Sequence, residues 1–244
     1  MSQTPLVSVI IPCFNHADFL PDAVASIRRQ NYPAVEIIII DDGSTDGSAA
    51  VAARLDGPDL HYFHQANRGL PGARNAGLEQ ARGEIITFLD ADDFWNDANL
   101  ELQVALLLGH PDIDIVVGYS QKMRVTRYED GRPVIAPLSE PAPALSMNCA
   151  VMWRSVFDKV GAFDQGQRYC DDWDWYMRAR ELGVGIKIHE AVVHYYRRHE
   201  ANMTNNVDIG NQYTLLMLKK SLDRRRRQQD GAASSLANLL KKND

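Results

Sequence analysis

The stretch "IITFLDADDFW" occupies residues 85–95 and joins an apolar run directly to a group of acids. Ile85 and Phe88 are residue types typical of protein interiors, whereas Asp90, Asp92 and Asp93 follow almost at once. Carboxylates held close together repel one another unless a cation lies among them. Two explanations are therefore open: the acids cap the helix that follows, or they bind a metal ion.

Apolar, strand-like runs alternate with helix-like patterns on either side of this stretch. The predicted strands are 6–12, 35–42, 60–65, 84–90 and 113–120, and the predicted helices are 17–30, 47–55, 71–83 and 96–109. Strands separated by helices of this length are joined by β-α-β crossovers, which give a mostly parallel sheet with helices on both faces. The first half therefore predicts an α/β fold.

The pattern changes after about residue 120. Residues 129–145 contain four prolines and predict a long surface loop. Helices are then predicted at 153–163 and 172–183, a strand at 185–196, and further helices at 211–229 and 234–242. We expect one domain over 1–210, in which residues 121–210 complete a site begun by 1–120, and a helical extension over 211–244.

Composition and charge narrow the class of protein. The net charge of −6 at pH 7 argues against a nucleic-acid partner. Three widely spaced cysteines without a C-x-x-C pair predict a reducing compartment. We see neither a signal peptide nor an apolar run of about 18 residues, so we expect a soluble, cytoplasmic protein.

Polar residues gather where three predicted strands end. In an open parallel sheet, ligands bind beyond the carboxyl ends of the strands. The first strand leads into Pro12, Phe14 and Asn15, the second into Asp41 and Asp42, and the fourth into Asp90, Ala91 and Asp92. A turn with a helix cap explains the second group equally well. The third group favours a hard cation, Mg²⁺ or Mn²⁺, bound partly through substrate phosphates.

The stretch "NRGLPGARNAGL", residues 67–78, has the features of a phosphate site. Gly69 and Gly72 allow the backbone to approach a ligand, the start of the helix favours anions, and Arg74 is a permanent cation. The stretch is neither G-x-G-x-x-G nor a Walker A loop, which argues against a dehydrogenase or a P-loop enzyme.

Taken together and in this order, the motifs resemble those of the family 2 glycosyltransferases, which have the GT-A nucleotide-diphospho-sugar fold. The matching stretches are "VSVIIPCFN", "IIIIDDGSTDGS", "NRGLPGARNAGL", "ITFLDADDFW", "GAFDQGQRYCDDWDWYMRA" and "YYRRHEANMT", within residues 5–205. The resemblance implies a nucleotide-sugar-binding half over 1–120 and an acceptor and catalytic half over 121–210.

The resemblance also implies roles for individual positions. Phe14 would lie near the nucleotide base, Asp41 or Asp42 would hydrogen-bond that base, and Asp90 would face the ribose. Asp92 would be the metal ligand, joined by His199 near the metal and diphosphate. The implied nucleotide-sugar site comprises Pro12, Phe14, Asn15, Asp41, Asp42, Gly69, Arg74, Asp90, Ala91, Asp92 and Arg197.

Asp171 and Asp172 stand where the family has a Glu-Asp pair, whose second acid is the catalytic base. The resemblance thus implies that Asp172 is the base, although Asp171 departs from the usual Glu and leaves the choice between the two acids open. Acids in the first turn of a helix also favour its macrodipole, whatever their function. Asp93 is explained well enough as a residue near a helix start, and His194 as a structural residue in a strand.

The expected activity is an inverting, Mn²⁺- or Mg²⁺-dependent transfer of one sugar from a nucleoside-diphosphate sugar, UDP-linked by preference, to a saccharide or lipid-linked acceptor. The Q-x-x-R-W signature of processive synthases is absent from the sequence, and bacterial envelope or extracellular polysaccharide synthesis is the expected setting. The alternatives are a non-catalytic nucleotide-sugar sensor or scaffold and a nucleotidyltransferase. The latter normally requires a glycine-rich basic loop where "PCFNHADF" stands.

The predicted helix 211–229 is basic and amphipathic, with Lys219, Lys220 and Arg224–Arg227 beside several leucines. One interpretation is that its leucines pack on the domain or on a second copy in a homodimer. The other is weak association with an anionic membrane surface, at the inner face of the cell membrane.

Overall fold

A computed structural model describes residues 4–228 of the chain. Within these residues the chain forms ten strands and seven α-helices. In the first half they are β1 Val7–Cys13, α1 Leu20–Arg28, β2 Val35–Asp41, α2 Ser48–Arg54, β3 Leu60–His64, α3 Gly69–Gln80, β4 Ile85–Phe88, β5 Phe94–Trp95 and α4 Asn99–Gly109. In the second half they are β6 Ile115–Glu129, β7 Arg132–Pro137, β8 Ala142–Pro143, β9 Ala150–Trp153, α5 Ser155–Val160, α6 Asp171–Glu181, β10 Ile186–Arg197 and α7 Val207–Gln228.

The first half folds as the alternating pattern predicts. Strands β3, β2, β1 and β4 lie side by side in that order and are parallel. Every residue of β1 is buried, because one face of the sheet packs against α1 and the other against α3. Ile11 belongs to the first of these two cores and Ile10 to the second, as expected for side chains that alternate across a strand.

The second half extends the same sheet in a mixed arrangement. β9 lies antiparallel between β4 and β6, β10 runs parallel to β6, and the short β5 pairs antiparallel with β10. The sheet order is β3-β2-β1-β4-β9-β6-β10-β5. The predicted α/β class is confirmed, while the sequence did not predict β5 or β9. Strand β6 itself crosses the expected boundary between the halves at residue 120.

The prediction of a long loop over 129–145 is wrong. β6 continues to Glu129 and turns back through Asp130 and Gly131 into β7, which pairs with it antiparallel. Both turn residues have positive φ, 49° and 73°, as a two-residue hairpin turn requires. The prolines of β7 are tolerated because this strand pairs on one side only, with β6. The Asp-Gly pair was the signal for the hairpin.

Helix α7 begins at Val207, four residues before its predicted start, and is described as far as Gln228. The predicted helix 234–242 lies outside the described residues. Within residues 4–228, none of the helices combines the length and the apolar character that a membrane span requires.

Gly77 of α3 gives a test of how closely this helix approaches β1. A Cβ added at Gly77 would lie 2.3 Å from Cγ2 of Ile10, which is fully buried. We expect Gly77→Ala to lower the free energy of unfolding by about 1–3 kcal/mol, since a packed core must move to admit the methyl group. Urea unfolding followed by circular dichroism measures this change.

Gly109→Ala is the matched control, because a Cβ at the end of α4 would meet nothing within 4 Å. We expect the control to be neutral or slightly stabilising. Equal urea midpoints for the two variants would contradict the close approach of α3 to β1.

Candidate active site

The carboxyl ends of β1, β2 and β4 meet at one edge of the sheet, as predicted. Cys13 at the end of β1 is in register with Asp41 at the end of β2, and the Leu89 N–H just after β4 donates to Ile10 O of β1. The polar residues that follow each strand are therefore brought together.

Two acids lie at the end of β2, Asp41 as its last residue and Asp42 just after it, and both carboxylates are buried and hydrogen-bonded within the protein. Asp41 accepts from the Tyr62 hydroxyl at 2.6 Å. Burial alone would raise its pKa, but the hydrogen bonds that it accepts hold its pKa below the usual value. The Asp42 carboxylate accepts hydrogen bonds from the backbone N–H groups of Arg68 and Gly69 at 2.8 and 2.7 Å. It therefore caps the start of α3, although it lies in a different loop. That either acid hydrogen-bonds the base of a nucleotide stays a prediction.

The loop after β1 is fastened to the loop after β2 through Asn15. Its side-chain oxygen accepts from Thr45 N at 2.8 Å, and its own N–H donates to Ser44 Oγ at 2.9 Å. Asn15 has a φ of 57°, a left-handed conformation that Asn adopts more readily than most residues. Pro12 stays buried in β1, while Phe14 is 46% exposed. An aromatic ring is thus presented at the rim, where a base could stack.

Arg74 is buried between the two halves of the domain. Its guanidinium donates to Asp171 at 2.7 Å and to Asp90 at 3.2 Å, and it lies over the Phe88 and Phe163 rings at 5.9 and 5.7 Å. Burial would lower the pKa of Arg74, but the Asp171 and Asp90 charges outweigh it and raise that pKa. The sequence suggested a free phosphate-binding cation, whereas the described partners of this side chain are carboxylates.

Asp90 lies two residues beyond the end of β4 and is held by an amide. Asn148 Nδ2 donates to its carboxylate at 2.8 Å, and the Asp90 N–H donates back to Asn148 Oδ1 at 3.2 Å. Asn148 lies just before β9, and sequence reasoning missed it because no motif marks an isolated asparagine. The next residue, Ala91, is fully buried, so the chain here has little freedom to move.

Asp92 and His199 are brought into contact, as the sequence predicted. His199 Nε2 lies 3.0 Å from Asp92 Oδ2, and the buried Asn202 side chain reaches both residues, at 2.9 Å from the ring nitrogen and 3.4 Å from the carboxylate. Burial would raise the pKa of Asp92, but the hydrogen bond with His199 and the nearby His16 hold it below its usual value. Asn202 was not predicted.

The donor set of Asp92 and His199 fits Mg²⁺ or Mn²⁺. Over residues 4–228 there is no group of three or more His, Cys, Asp and Glu that could enclose a metal. Mg²⁺, however, is usually bound through one or two protein ligands, substrate phosphates and water. Neighbouring ligands of an octahedral ion with bonds of about 2.1 Å are separated by roughly 3.0 Å. Asp92 and His199, which contact each other through a hydrogen bond, would be the two protein ligands of such an ion.

Asp93 is a structural residue and not the start of a helix, because α4 begins only at Asn99. Its carboxylate is buried against His194 at 2.9 Å and accepts from the Arg197 N–H at 2.8 Å. Burial raises the pKa of Asp93, against the effect of the His194 charge. Burial would lower the pKa of His194, but Asp93 holds it above its usual value. The pair ties the chain after β4 to β10.

The Arg197 guanidinium is also engaged inside the protein. It contacts Asp22 at 2.5 Å and the Tyr128 hydroxyl at 3.1 Å, and it lies 5.0 Å from the centroids of both the Phe19 and Phe94 rings. These contacts join β10, β6 and α1. Its predicted role in holding phosphate stays a prediction.

The two acids that open α6 have different surroundings. Asp171 is buried against Arg74, whereas the half-buried Asp172 accepts from the backbone N–H of Trp173 at 2.9 Å. Among residues 4–228, Asp172 has no side-chain hydrogen-bond donor. Burial and then the charge of Asp171 raise the pKa of Asp172 above its usual value. Burial also raises the pKa of Asp171, against the effect of the Arg74 charge, so the two acids differ in their contacts: Asp171 is paired with Arg74 and Asp172 is not.

The sheet, its helices and the acid-lined edge define a GT-A-type protein, and comparison with solved structures agrees. The fold is similar to that of a mannosyltransferase from Pyrobaculum calidifontis, solved in complex with GDP-Man and Mn²⁺, with a TM-score of 0.71 at 20% identity over 95% of this chain and 66% of that one. It is also similar to residues 1–349 of S. aureus TarS, solved in complex with UDP-GlcNAc, with a TM-score of 0.70 at 20% identity over 87% and 65% of the two chains.

The model of "Glycosyl transferase family 2" matches residues 8–161. The chain is 30% identical to an uncharacterized glycosyltransferase of Rickettsia typhi over 84% of this chain and 67% of the relative. It is 37% identical to the putative teichuronic acid biosynthesis glycosyltransferase TuaG of Bacillus subtilis over 53% of this chain and 51% of that one. The chain thus spans about half to two thirds of these relatives.

The protein belongs to glycosyl transferase family 2, a family of transferase enzymes. The predicted family and enzyme class are confirmed.

The different surroundings of Asp92 and Asp93 lead to opposite expectations for their variants. Asp93→Ala leaves His194 buried without its partner, so we expect the free energy of unfolding to fall by about 3–5 kcal/mol. Asp92→Asn, the comparison variant, keeps the shape of its side chain and its contacts with His199 and Asn202, so we expect a smaller loss of stability than for Asp93→Ala. Thermal unfolding of both variants measures the difference. Equal unfolding temperatures would refute the structural role of Asp93.

Proposed function

We propose that the protein is an inverting, metal-dependent glycosyltransferase that moves a single sugar from a nucleoside-diphosphate sugar to an acceptor hydroxyl. One observation carries the proposal. A continuous chain of contacts runs from the Asp92 segment through Asp90 and Arg74 to Asp171, beside the Asp172 carboxylate, which is not paired with Arg74. The Asp92–His199 pair, which is suited to bind a cation, and the Asp172 carboxylate, which is suited to accept a proton, thus lie at the same edge of the sheet.

The proposed donor is a UDP-sugar. Two kinds of fold neighbour support a nucleoside-diphosphate sugar, since TarS was solved with UDP and with UDP-GlcNAc, and the P. calidifontis enzyme with GDP-Man. In the proposed arrangement, the exposed Phe14 ring contacts the base, and Asp90 lies toward the ribose.

The proposed chemistry divides between the two ends of this edge. Mn²⁺ or Mg²⁺ held by Asp92 and His199 would stabilise the charge that develops on the leaving diphosphate. Asp172 accepts the proton of the acceptor hydroxyl as that oxygen attacks the anomeric carbon, a contribution typically of about 10²–10⁴ in rate. The scheme needs no protein nucleophile, so attack comes from the face opposite the diphosphate and inverts the anomeric configuration.

The proposed acceptor site is an open groove of about 630 Å³ between the residue ahead of α6 and the segment that leads into α7. Tyr169 and Met203 supply apolar surface, and Asn206 and Asp208 supply polar groups, a combination suited to a sugar ring. Asn202, which contacts His199, also lines the groove. We propose a saccharide or lipid-linked acceptor in bacterial envelope polysaccharide synthesis, with the B. subtilis relative as support.

The proposal is tested with a panel of UDP- and GDP-sugars, with and without Mn²⁺. The preferred donor should raise the unfolding temperature, since about 2.7 kcal/mol of stabilisation is expected at a hundredfold excess over Kd. Release of the nucleoside diphosphate on adding acceptor measures turnover. Asp172→Asn should keep donor binding and lose at least about a hundredfold in rate. Tight binding without turnover, unchanged in Asp172→Asn, would instead indicate a nucleotide-sugar sensor.

The raised pKa of Asp172 gives a pH test of the general base. Activity requires the carboxylate, so the rate should fall as pH drops through the pKa of Asp172, at a higher pH than for an ordinary aspartate. Asp171→Asn removes a negative neighbour and leaves the Arg74 cation in place, with Asp90 as the other nearby charge. Both effects lower the pKa of Asp172, so the acid limb of the rate profile should move to lower pH.

Circular dichroism at each pH gives the folded fraction of the variant, and the rates are corrected for it. Glu101→Gln, on the exposed side of α4, controls for the change in net charge and should leave the limb in place. An Asp171→Asn profile that coincides with the wild type would remove Asp172 from the role of base.

A further inference from the structure

Helix α7 is held on the domain by one side only. Met217 and Ser221 are buried, and the Ser221 hydroxyl donates to Glu181 of α6 at 2.6 Å. Lys220 donates to Asp164 at 2.7 Å, and Arg224 pairs with Glu181 at 2.7 Å. These contacts fix the orientation of the helix about its own axis.

The leucines of α7 point the other way. Leu215, Leu218 and Leu222 are 68%, 43% and 47% exposed. Their spacing of three and then four residues places them on one face, and Val207, 65% exposed, extends that face toward the start of the helix. We call Val207, Leu215, Leu218 and Leu222 the outer face of α7. The interpretation that these leucines pack on the domain is therefore wrong within residues 4–228.

Basic side chains flank the outer face. Lys219 and Arg226 are exposed, Arg225 is half-buried, and none of the three forms an ion pair within the described residues. Over its whole length α7 has six basic residues and two acidic ones, in a chain whose net charge is −6. Because Lys220 and Arg224 are paired with acids of the domain, the positive charge beside the outer face comes from Lys219, Arg225 and Arg226.

The charge beside the outer face distinguishes between two partners that this apolar surface would accept, a second copy of α7 and an anionic membrane surface. Two copies of α7 packed through their outer faces would bring their basic flanks together, where like charges repel. An anionic surface has the opposite effect, since each Lys or Arg near it contributes about 1 kcal/mol while the leucines enter the boundary between headgroups and acyl chains. We propose that the outer face of α7 binds the surface of an anionic phospholipid membrane.

The position of α7 gives this attachment a consequence that rests on the proposed function. Val207 and Asp208, at the start of the helix, line the proposed acceptor groove together with Tyr169 and Asn202. A membrane bound along the outer face lies beside the mouth of that groove. A lipid-linked acceptor would then reach the site without leaving the bilayer surface.

The test uses the full 244-residue chain and sedimentation with vesicles. Wild-type protein should bind vesicles of phosphatidylcholine with about 30% phosphatidylglycerol and not vesicles of phosphatidylcholine alone, and high salt should weaken binding. A triple variant, Leu215→Ser with Leu218→Ser and Leu222→Ser, should reduce the partition coefficient by roughly tenfold or more. Lys219→Glu with Arg226→Glu should have a comparable effect and serves as an independent variant if the first is unstable.

Leu102→Ser with Leu108→Ser is the matched control, since these two leucines are exposed on α4, away from the basic side chains of α7. The control should bind as the wild type does. Absence of vesicle binding by the wild type, or equal losses in the control and the triple variant, would overturn the proposal. So would a wild-type dimer in light scattering that the triple variant converts to monomer, because that result assigns the outer face to a second copy.

Release of nucleoside diphosphate to a water-soluble acceptor separates this proposal from the proposed function. The triple variant should retain that activity, because the three leucines lie outside the site. If vesicles bind but no donor turns over, the membrane proposal stands and the enzymatic one fails.

Discussion

The site depends on one buried cation. Arg74 lies in α3, yet its partners are Asp90 after β4 and Asp171 at the start of α6, so it joins three elements that are far apart in the chain. Burying these charges costs desolvation free energy, which their mutual attraction offsets only when the geometry is good. Removing Arg74 would leave two neighbouring carboxylates without their cation, whereas removing either acid would leave Arg74 with one carboxylate partner. The sheet edge that carries Asp90 and the first turn of α6 are therefore fixed relative to each other. Their separation sets the distance between the proposed metal site and the proposed base.

The three acids of residues 90–93 acquire different functions because the chain turns sharply between them. Asp90 turns inward to Arg74 and Asn148, Asp92 meets His199, and Asp93 is buried against His194. Each partner comes from another element of the chain, so none of the three assignments follows from local spacing. Asp93 also meets a histidine, but that pair is fully buried, whereas Asp92 and His199 retain some exposure, so the proposed cation site lies at Asp92.

The sequence predicted the first half of the fold well because its signals are local. Apolar runs such as 35–42, bounded by turn residues, specify buried strands whatever lies around them. The second half depends on distant pairing: β9 is short and lies antiparallel between β4 and β6, and its four residues have no periodicity of their own. The hairpin after Glu129 did have a local signal in Asp130-Gly131, which the surrounding prolines outweighed. Prolines on an edge strand are compatible with pairing, and the edge position is not visible in the sequence.

The candidate site also divides into features that have a local sequence signal and features that depend on distant contacts. The family resemblance implied that Asp92 and His199 lie near the same metal ion, and the structure brings the two side chains into contact. Neither the type nor the spacing of Arg74 and Arg197 distinguishes a guanidinium that meets phosphate from one that meets a buried carboxylate, and both meet carboxylates here. The same contacts bear on the choice that the sequence left open between Asp171 and Asp172. Burial raises the pKa of both acids, but proton uptake at Asp171 would weaken its buried ion pair with Arg74, whereas proton uptake at Asp172 relieves repulsion between neighbouring charges. A contact made in the other half of the domain thus supports Asp172 as the proposed base.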